Sequence, residues 1–225
     1  MVKQKSFKAI IFDMDGVLLN TEPHHIKIEK NLFAGLGLVI SDEEHRTFLG
    51  KSSLQMWKEM KSKYGLSKSE DELAKINNDE IVRYFTEMNE IELMPGVKEI
   101  LKIIHDKNIP VALASSSDII TIDILLSRAG IKDYFLHLVS SETVGKSKPE
   151  PDIYLHTARL LSVSPGECVV IEDSPNGIKA AKSAGMYCIA YSGNTSEDID
   201  QSLADMSIDD FSQLEEVVMR IGGRD

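Results

Sequence analysis

Two aspartates, Asp13 and Asp15, follow the apolar run Ala9, Ile10, Ile11 and Phe12, with Gly16 immediately after them. Two carboxylates at alternate positions fall on one side of an extended backbone, and a glycine lets the chain turn where a Cβ would obstruct it. Crowding two negative charges there is unfavourable unless a cation joins them or one carboxyl keeps its proton. An acidic turn after a strand is the plain alternative, so the weight falls on what the rest of the chain supplies. Ser115 ends the run Val-Ala-Leu-Ala-Ser, Lys148 precedes Pro149, and Glu172 and Asp173 follow Val169, Val170 and Ile171. Each has an ordinary reading: Ser115 as a helix cap, Lys148 as a solvated loop charge, Glu172 and Asp173 as acids at a helix N-terminus. Together they offer a nucleophilic carboxylate, a second carboxyl for proton transfer, a hydroxyl, a lysine and metal-binding acids, the parts of a phosphoryl-transfer site.

The elements that must bring these groups together are strands. The continuous apolar run at Ile10 to Phe12 predicts a strand buried on both faces. Further strands are expected at 110–114, 136–139, 169–171, 187–191 and 206–208. Helices are expected from the spacing of Val97, Ile100, Leu101 and Ile104, after Ser115-Ser116-Ser117-Asp118 with Gly130 closing, and near 151–162 and 175–184, with Gly185 ending the last. Repeated β-α units favour an α/β, Rossmann-like, mostly parallel sheet with helices on both faces, in which sites lie beyond the carboxyl ends of the strands. Residues from about 22 to 89 differ: they are polar, helical in period and without a convincing strand. Ile28, Leu32, Gly35 and Leu36 suggest one helix ending near Gly37. Leu54, Trp57, Met60 and Lys61 suggest another ending near Gly65, and Ser69 opens a third with Leu73, Ile76, Ile81 and Phe85. This predicts an inserted all-helical domain over 20–90, with Trp57 in its own small core, and an α/β core over 1–19 and 91–225.

At 225 residues the chain can bury a sizeable core. Its 25 Lys and Arg against 36 Asp and Glu, a formal charge of -11, disfavour a general nucleic-acid or anionic-membrane surface, so attraction for an anionic substrate must be local. No apolar run reaches the roughly 20 residues of a membrane span. Lys3, Lys5 and Lys8 lead into a strand, not a signal-peptide core, which predicts a soluble, cytoplasmic protein. Cys168 and Cys188 are too few for a disulfide framework and are expected as buried thiols. No long apolar stripe is left over for an interface, which predicts a monomer.

Taken in order, Asp13-Met14-Asp15-Gly16-Val17, Ser115, Lys148-Pro149-Glu150-Pro151-Asp152 and Ile171-Glu172-Asp173-Ser174 resemble the motifs of the haloacid dehalogenase superfamily of phosphohydrolases. The resemblance covers nearly the whole chain. It is strongest to the β-phosphoglucomutase-like branch, whose passage from core to helical cap Asn20-Thr21-Glu22-Pro23-His24-His25 is similar to. The resemblance implies that Asp13 attacks phosphorus and that Asp15 protonates the leaving oxygen and then activates water. It implies Mg²⁺ on Asp13, Asp173 and the backbone carbonyl of Asp15, with Glu172 bound directly or through water. Ser115, Ser116 and Lys148 would hold the phosphoryl, Asn176 would steady the loop after Asp173, and His25 and Lys51 would contribute from the cap.

The reaction so implied is Mg²⁺-dependent hydrolysis of a small phosphorylated metabolite, a sugar or polyol phosphate. β-Phosphoglucomutase is the enzymatic alternative. The mutases' cap carries a basic pair, whereas Leu49-Gly50-Lys51-Ser52-Ser53 and Asn77-Asn78-Asp79 lack the expected arginine and lysine. Asp15 disfavours a dehalogenase. A phospho-accepting receiver and a catalytically silent binding module are the alternatives of another class.

Overall fold

The computed structural model describes residues 7–48, 50–193 and 199–220, so Lys3, Lys5 and Leu49 lie outside the described residues. Strand β1 (Ala9–Phe12) has all four residues buried and occupies the middle of a six-stranded sheet of order β3-β2-β1-β4-β5-β6. The other strands are β2 (Val111–Ser115), β3 (His137–Ser140), β4 (Cys168–Glu172), β5 (Tyr187–Tyr191) and β6 (Met206–Ile208), and every pairing is parallel. Ile10 pairs with Val111 on one side and Val169 on the other. The continuous apolar runs follow from this arrangement, because successive side chains enter different layers. Ile10 and Phe12 pack with Ile100, Ile104, Leu125 and Val218, whereas Ala9 and Ile11 pack with Tyr154, Ala158, Ile178 and Ala181.

These layers are supplied by α5 (Val97–Asp106), α6 (Ile119–Ala129) and α9 (Leu214–Arg220) on one face and α7 (Asp152–Leu160) and α8 (Pro175–Ser183) on the other. Both cysteines are free and buried in the second layer, as expected. The third strand starts one residue later than the apolar pattern suggested. Leu136 is exposed and pairing runs on to Ser140 opposite Ser115, because the ladder is made by backbone groups and not by hydrophobicity. Lys8 precedes β1 and pairs with Glu167.

Between β1 and β2 lie α1 (Glu22–Gly35), α2 (Asp42–Arg46), α3 (Ser53–Tyr64) and α4 (Glu70–Glu87). The local signals are strong where they were legible: Ser69 and Glu72 form a reciprocal capping box, and Gly65 ends α3 in the left-handed region at φ 63°. Helix α2, only five residues long, is too short to show a period and escaped the sequence reading. Phe33, Phe48, Met56, Trp57, Met60 and Leu73 form a separate cluster. Leu54 and Ile76, expected on apolar faces, are exposed, and Met56 takes the inward position on α3.

The insert is also tied to the sheet. Ile28, Ile81 and Phe85 join the larger cluster, and α4 packs on α6, where Arg128 donates to the carbonyl of Thr86 at 2.8 Å. The two chain crossings run side by side. Asn20 N–H donates to Glu92 O at 3.0 Å and Met94 N–H to Leu18 O at 2.9 Å. Among the described residues no helix is long and apolar enough to cross a membrane.

Candidate active site

The carboxyl ends of β1, β2 and β4 are adjacent, so the residues that follow them share one rim. Asp13 N–H donates to Ile171 O at 3.0 Å, continuing the ladder one residue past β1 and fixing the carboxylate over the sheet edge. Lys148 has no solvent exposure and uses all three ammonium hydrogens: on Asp13 Oδ1 at 2.5 Å, Glu172 Oε1 at 2.6 Å and Ala114 O at 3.2 Å. Burial would depress its pKa, but the two carboxylates reverse this and hold it above the usual lysine range.

Glu172 is saturated by this arrangement. Tyr154 also donates to Oε1 at 3.0 Å, and Oε2 accepts from Asp173 N–H and Ser174 N–H, each at 2.9 Å, and from the Ser174 hydroxyl at 3.0 Å. A Cβ on Gly177 would fall on this carboxylate, which is why α8 can start so close to it. Asp173 is buried against Gly16, whose φ is +79°, and a Cβ there would lie 2.1 Å from Asp173 Oδ2. Its backbone carbonyl accepts from Gln201 at 2.7 Å, a support absent from the sequence reading because Gln201 belongs to no motif.

Burial pushes the Asp13 carboxyl up to about 8; Lys148 opposes this, and Glu172 and Asp15 add to it. Burial, then Glu172 and Asp13, push Asp173 well above the ordinary carboxylate range. Lys148 alone therefore does not offset the cost of ionising both acids, which a further cation between them would lower. Asp13, Glu172 and Asp173 offer oxygens within 4.8 Å of one another, a spacing able to hold a cation. Because both Glu172 oxygens already have donors, Asp13 and Asp173 are the better direct ligands, and the acidic set suits a hard divalent ion.

Asp15 has a different environment. Thr21 donates to its Oδ1, His25 Nε2 lies 3.1 Å from the same oxygen, and Ser117 donates to Oδ2 at 3.0 Å. Burial raises its pKa, but His25, Thr21 and Ser117 outweigh that and leave it below the ordinary value. The same contact raises His25 despite its burial. Thr21 and His25 are one turn apart at the start of α1, so the insert's first turn grips a carboxylate of the sheet domain.

The serine run divides its duties. Ser115 is fully buried and its oxygen accepts from Ser117 N–H at 3.1 Å, beneath the cavity surface. Ser116 and Ser117 line the cavity, with Ser116 donating to Gly50 O at 2.6 Å. The only cue to Ser117 was its place in that run. Ser141, just past β3, and Ser140, the last residue of β3, support this loop by donating to Ser116 O at 3.0 Å and Ser117 O at 2.7 Å. Lys51 also lines the cavity, but its ammonium bonds Glu59 at 2.8 and 3.0 Å. Asn176 lies on the first turn of α8, against Gly50.

The cavity, of about 110 Å³, is closed on the sheet side by Asp13, Asp15, Ser116, Ser117 and Asp173. On the insert side it is closed by Glu22, His25, Glu29, His45 and Phe48. Gly50 approaches so closely that a Cβ would lie 2.4 Å from Ser174 Oγ.

The chain is similar to known proteins over most of its length. The chain is 33% identical over 190 residues to the phosphorylated carbohydrates phosphatase of Thermotoga maritima, covering 83% of this chain and 87% of that one. It is 32% identical over 188 residues to the β-phosphoglucomutase of Bacillus subtilis, covering 81% and 82%. The crystal structure of a β-phosphoglucomutase from Clostridium difficile matches with a TM-score of 0.83 and 27% identity, over 95% of this chain and 96% of that one. With the haloacid dehalogenase-like hydrolase model matching residues 7–185, the chain belongs to that family and is an enzyme acting on phosphate esters.

Proposed function

We propose that the protein is a Mg²⁺-dependent phosphatase of a small phosphorylated sugar or polyol, working through a phosphoryl-aspartate at Asp13. The observation that carries this reading is the contrast between two carboxylates on one cavity. Asp13 is buried beside Lys148 with one oxygen bonded and the other left to attack phosphorus. Asp15 is held by three donors that favour its ionised form. A carboxylate beside a buried ammonium with one oxygen facing the cavity, and a second one hydrogen-bonded to a histidine in reach of the same space, are the parts needed for a nucleophile and a proton carrier.

In the first half-reaction Asp13 attacks phosphorus, and the proton that His25 carries, favoured there by the Asp15 carboxylate, passes through Asp15 to the leaving oxygen as the ester bond breaks. In the second, Asp15 in its favoured ionised form takes a proton from the water that releases phosphate. Lys148 offsets charge on Asp13 and the phosphoryl oxygens, and the Ser116–Ser117 loop brings its hydroxyl groups to the same cavity. A Mg²⁺ ion on Asp13 and Asp173 would supply the remaining positive charge. The helical insert acts as a cap: Thr21 and His25 reach Asp15, Ser116 reaches Gly50, and the paired crossings near 18–20 and 92–94 provide the hinge. The names of these relatives support a phosphorylated carbohydrate.

Phosphate release from a panel of sugar, polyol and nucleotide phosphates, with and without Mg²⁺, tests this alongside a coupled assay for conversion of β-glucose 1-phosphate to glucose 6-phosphate. Metal-dependent release on one compound class is expected. Isomerisation with little release would replace this reading with the mutase, which the similarity to two β-phosphoglucomutases favours.

A further inference from the structure

Every basic side chain lining the cavity, among the described residues, already has a carboxylate partner. His25 is paired with Asp15 at 3.1 Å, His45 with Glu29 at 2.6 Å and Lys51 with Glu59 at 2.8 Å. Glu22 and Glu29, both on α1, face the same space. The Glu29–His45 pair is not used by the chemistry proposed above, yet it is largely buried, with side-chain exposures of 17% and 5%. A second phosphate placed there would meet two carboxylates and no cation free to receive it. Like-charge contacts of this kind act against the wrong ligand.

The remaining polar groups on the insert side are neutral. Asn77 is fully buried on α4 and donates to Ser53 Oγ at 3.0 Å, while its own carbonyl oxygen has no partner. Because the Ser53 oxygen accepts from Asn77, its hydroxyl hydrogen is left to donate into the cavity that Ser53 lines. The amide thus orients a neutral donor in the two segments where a basic pair was missing from the sequence. Phe48, Met56 and Ile81 supply apolar surface beside it. Carboxylate acceptors, an oriented hydroxyl and apolar faces are suited to a carbon chain bearing hydroxyls.

We propose that the insert side of the cavity receives an uncharged, polyhydroxylated leaving group and rejects a second phosphate, with Glu29, held by His45, and Ser53, held by Asn77, as the specificity-determining groups. This rests on the phosphatase reading and narrows its substrates to monophosphates.

The test is the ratio of kcat/KM for a hexitol monophosphate to that for a hexose 1,6-bisphosphate, in the wild type and in Glu29→Gln and Ser53→Arg. A ratio within one variant cancels any general loss of activity, and the near-isosteric Glu29→Gln guards against misfolding in Ser53→Arg. The wild-type ratio is expected to exceed about 100, and each substitution to lower it by about tenfold. A wild-type ratio near one, a ratio unmoved by both substitutions, or a preference for an aminated leaving group would overturn the proposal. Absence of metal-dependent hydrolysis of every monophosphate, p-nitrophenyl phosphate included, would overturn the phosphatase reading instead. Competition between the same two ligands for equilibrium binding to Asp13→Asn would then decide the selectivity alone.

Discussion

Lys148 holds Asp13 and Glu172 together in a buried cluster, which is stable only while its charges remain matched. Removing one partner of such a group exposes the others to the full penalty of buried charge. Lys148→Met is therefore expected to lower unfolding free energy by about 3–5 kcal/mol in urea denaturation and to abolish phosphate release. Unchanged stability would contradict the dependence of the cluster on the lysine charge. Asp15 makes the opposite case, because its donors hold the carboxylate below the ordinary range. As the base for the second half-reaction it must be ionised, so that step should fail only as pH falls through the depressed pKa. His25→Asn removes the strongest lowering influence, which raises the Asp15 pKa. Single-turnover dephosphorylation measured against pH should then show its acidic decline at higher pH than in the wild type. A decline at the same pH would remove His25 from this role.

At the level of elements, two glycines with similar backbones separate fold from function. Gly65 ends α3 in open space at φ 63°, whereas Gly50, at φ 75°, lies against Ser174 of the sheet domain. Gly65→Ala is expected to cost about 1–2 kcal/mol of stability through left-handed backbone strain, with phosphate release unchanged. Gly50→Ala carries the same strain and also forces the insert loop away from the rim, so its kcat/KM should fall by about tenfold or more. Equal kinetic effects would contradict the assignment of the Gly50 contact to closure.

Most elements were legible because the signal was local. The apolar runs of β1 and β4, the spacing of α5 and the Ser69 cap each lie within one segment, Asp13 and Asp173 follow strand ends by position, and Lys148 precedes Pro149 in the loop after β3. Three kinds of feature were not. Helix α2 is shorter than the period needed to see it. Leu54 and Ile76 satisfied a helical period but were left outside by the way α3 and α4 pack. The roles of Ser117, Thr21, Gln201 and the Glu29–His45 pair depend on contacts between distant segments, which no local pattern encodes. Ser115 was visible as a strand end, but only the packed loop reveals that its neighbours face the cavity.

For the whole molecule, the insert has its own cluster but shares Ile28, Ile81 and Phe85 with the sheet domain. That shared burial predicts one cooperative transition in calorimetry, and two resolved transitions would contradict it. Binding Mg²⁺ between Asp13 and Asp173 should relieve the uncompensated acidity and stabilise the folded chain by about 2.7 kcal/mol at a hundredfold excess over Kd. The melting temperature should rise with Mg²⁺ in the wild type and not in Asp173→Asn, and an equal rise in both would place the ion elsewhere.

The central claim, a phosphoryl group carried on Asp13, is tested most directly by rapid acid quench during turnover of a sugar or polyol phosphate, followed by mass spectrometry of the peptides. The account predicts one phosphoryl group, labile to hydroxylamine, on the peptide containing Asp13, and none in Asp13→Asn. Phosphate release at full rate from that variant, or a phosphoryl group on a different residue, would contradict it.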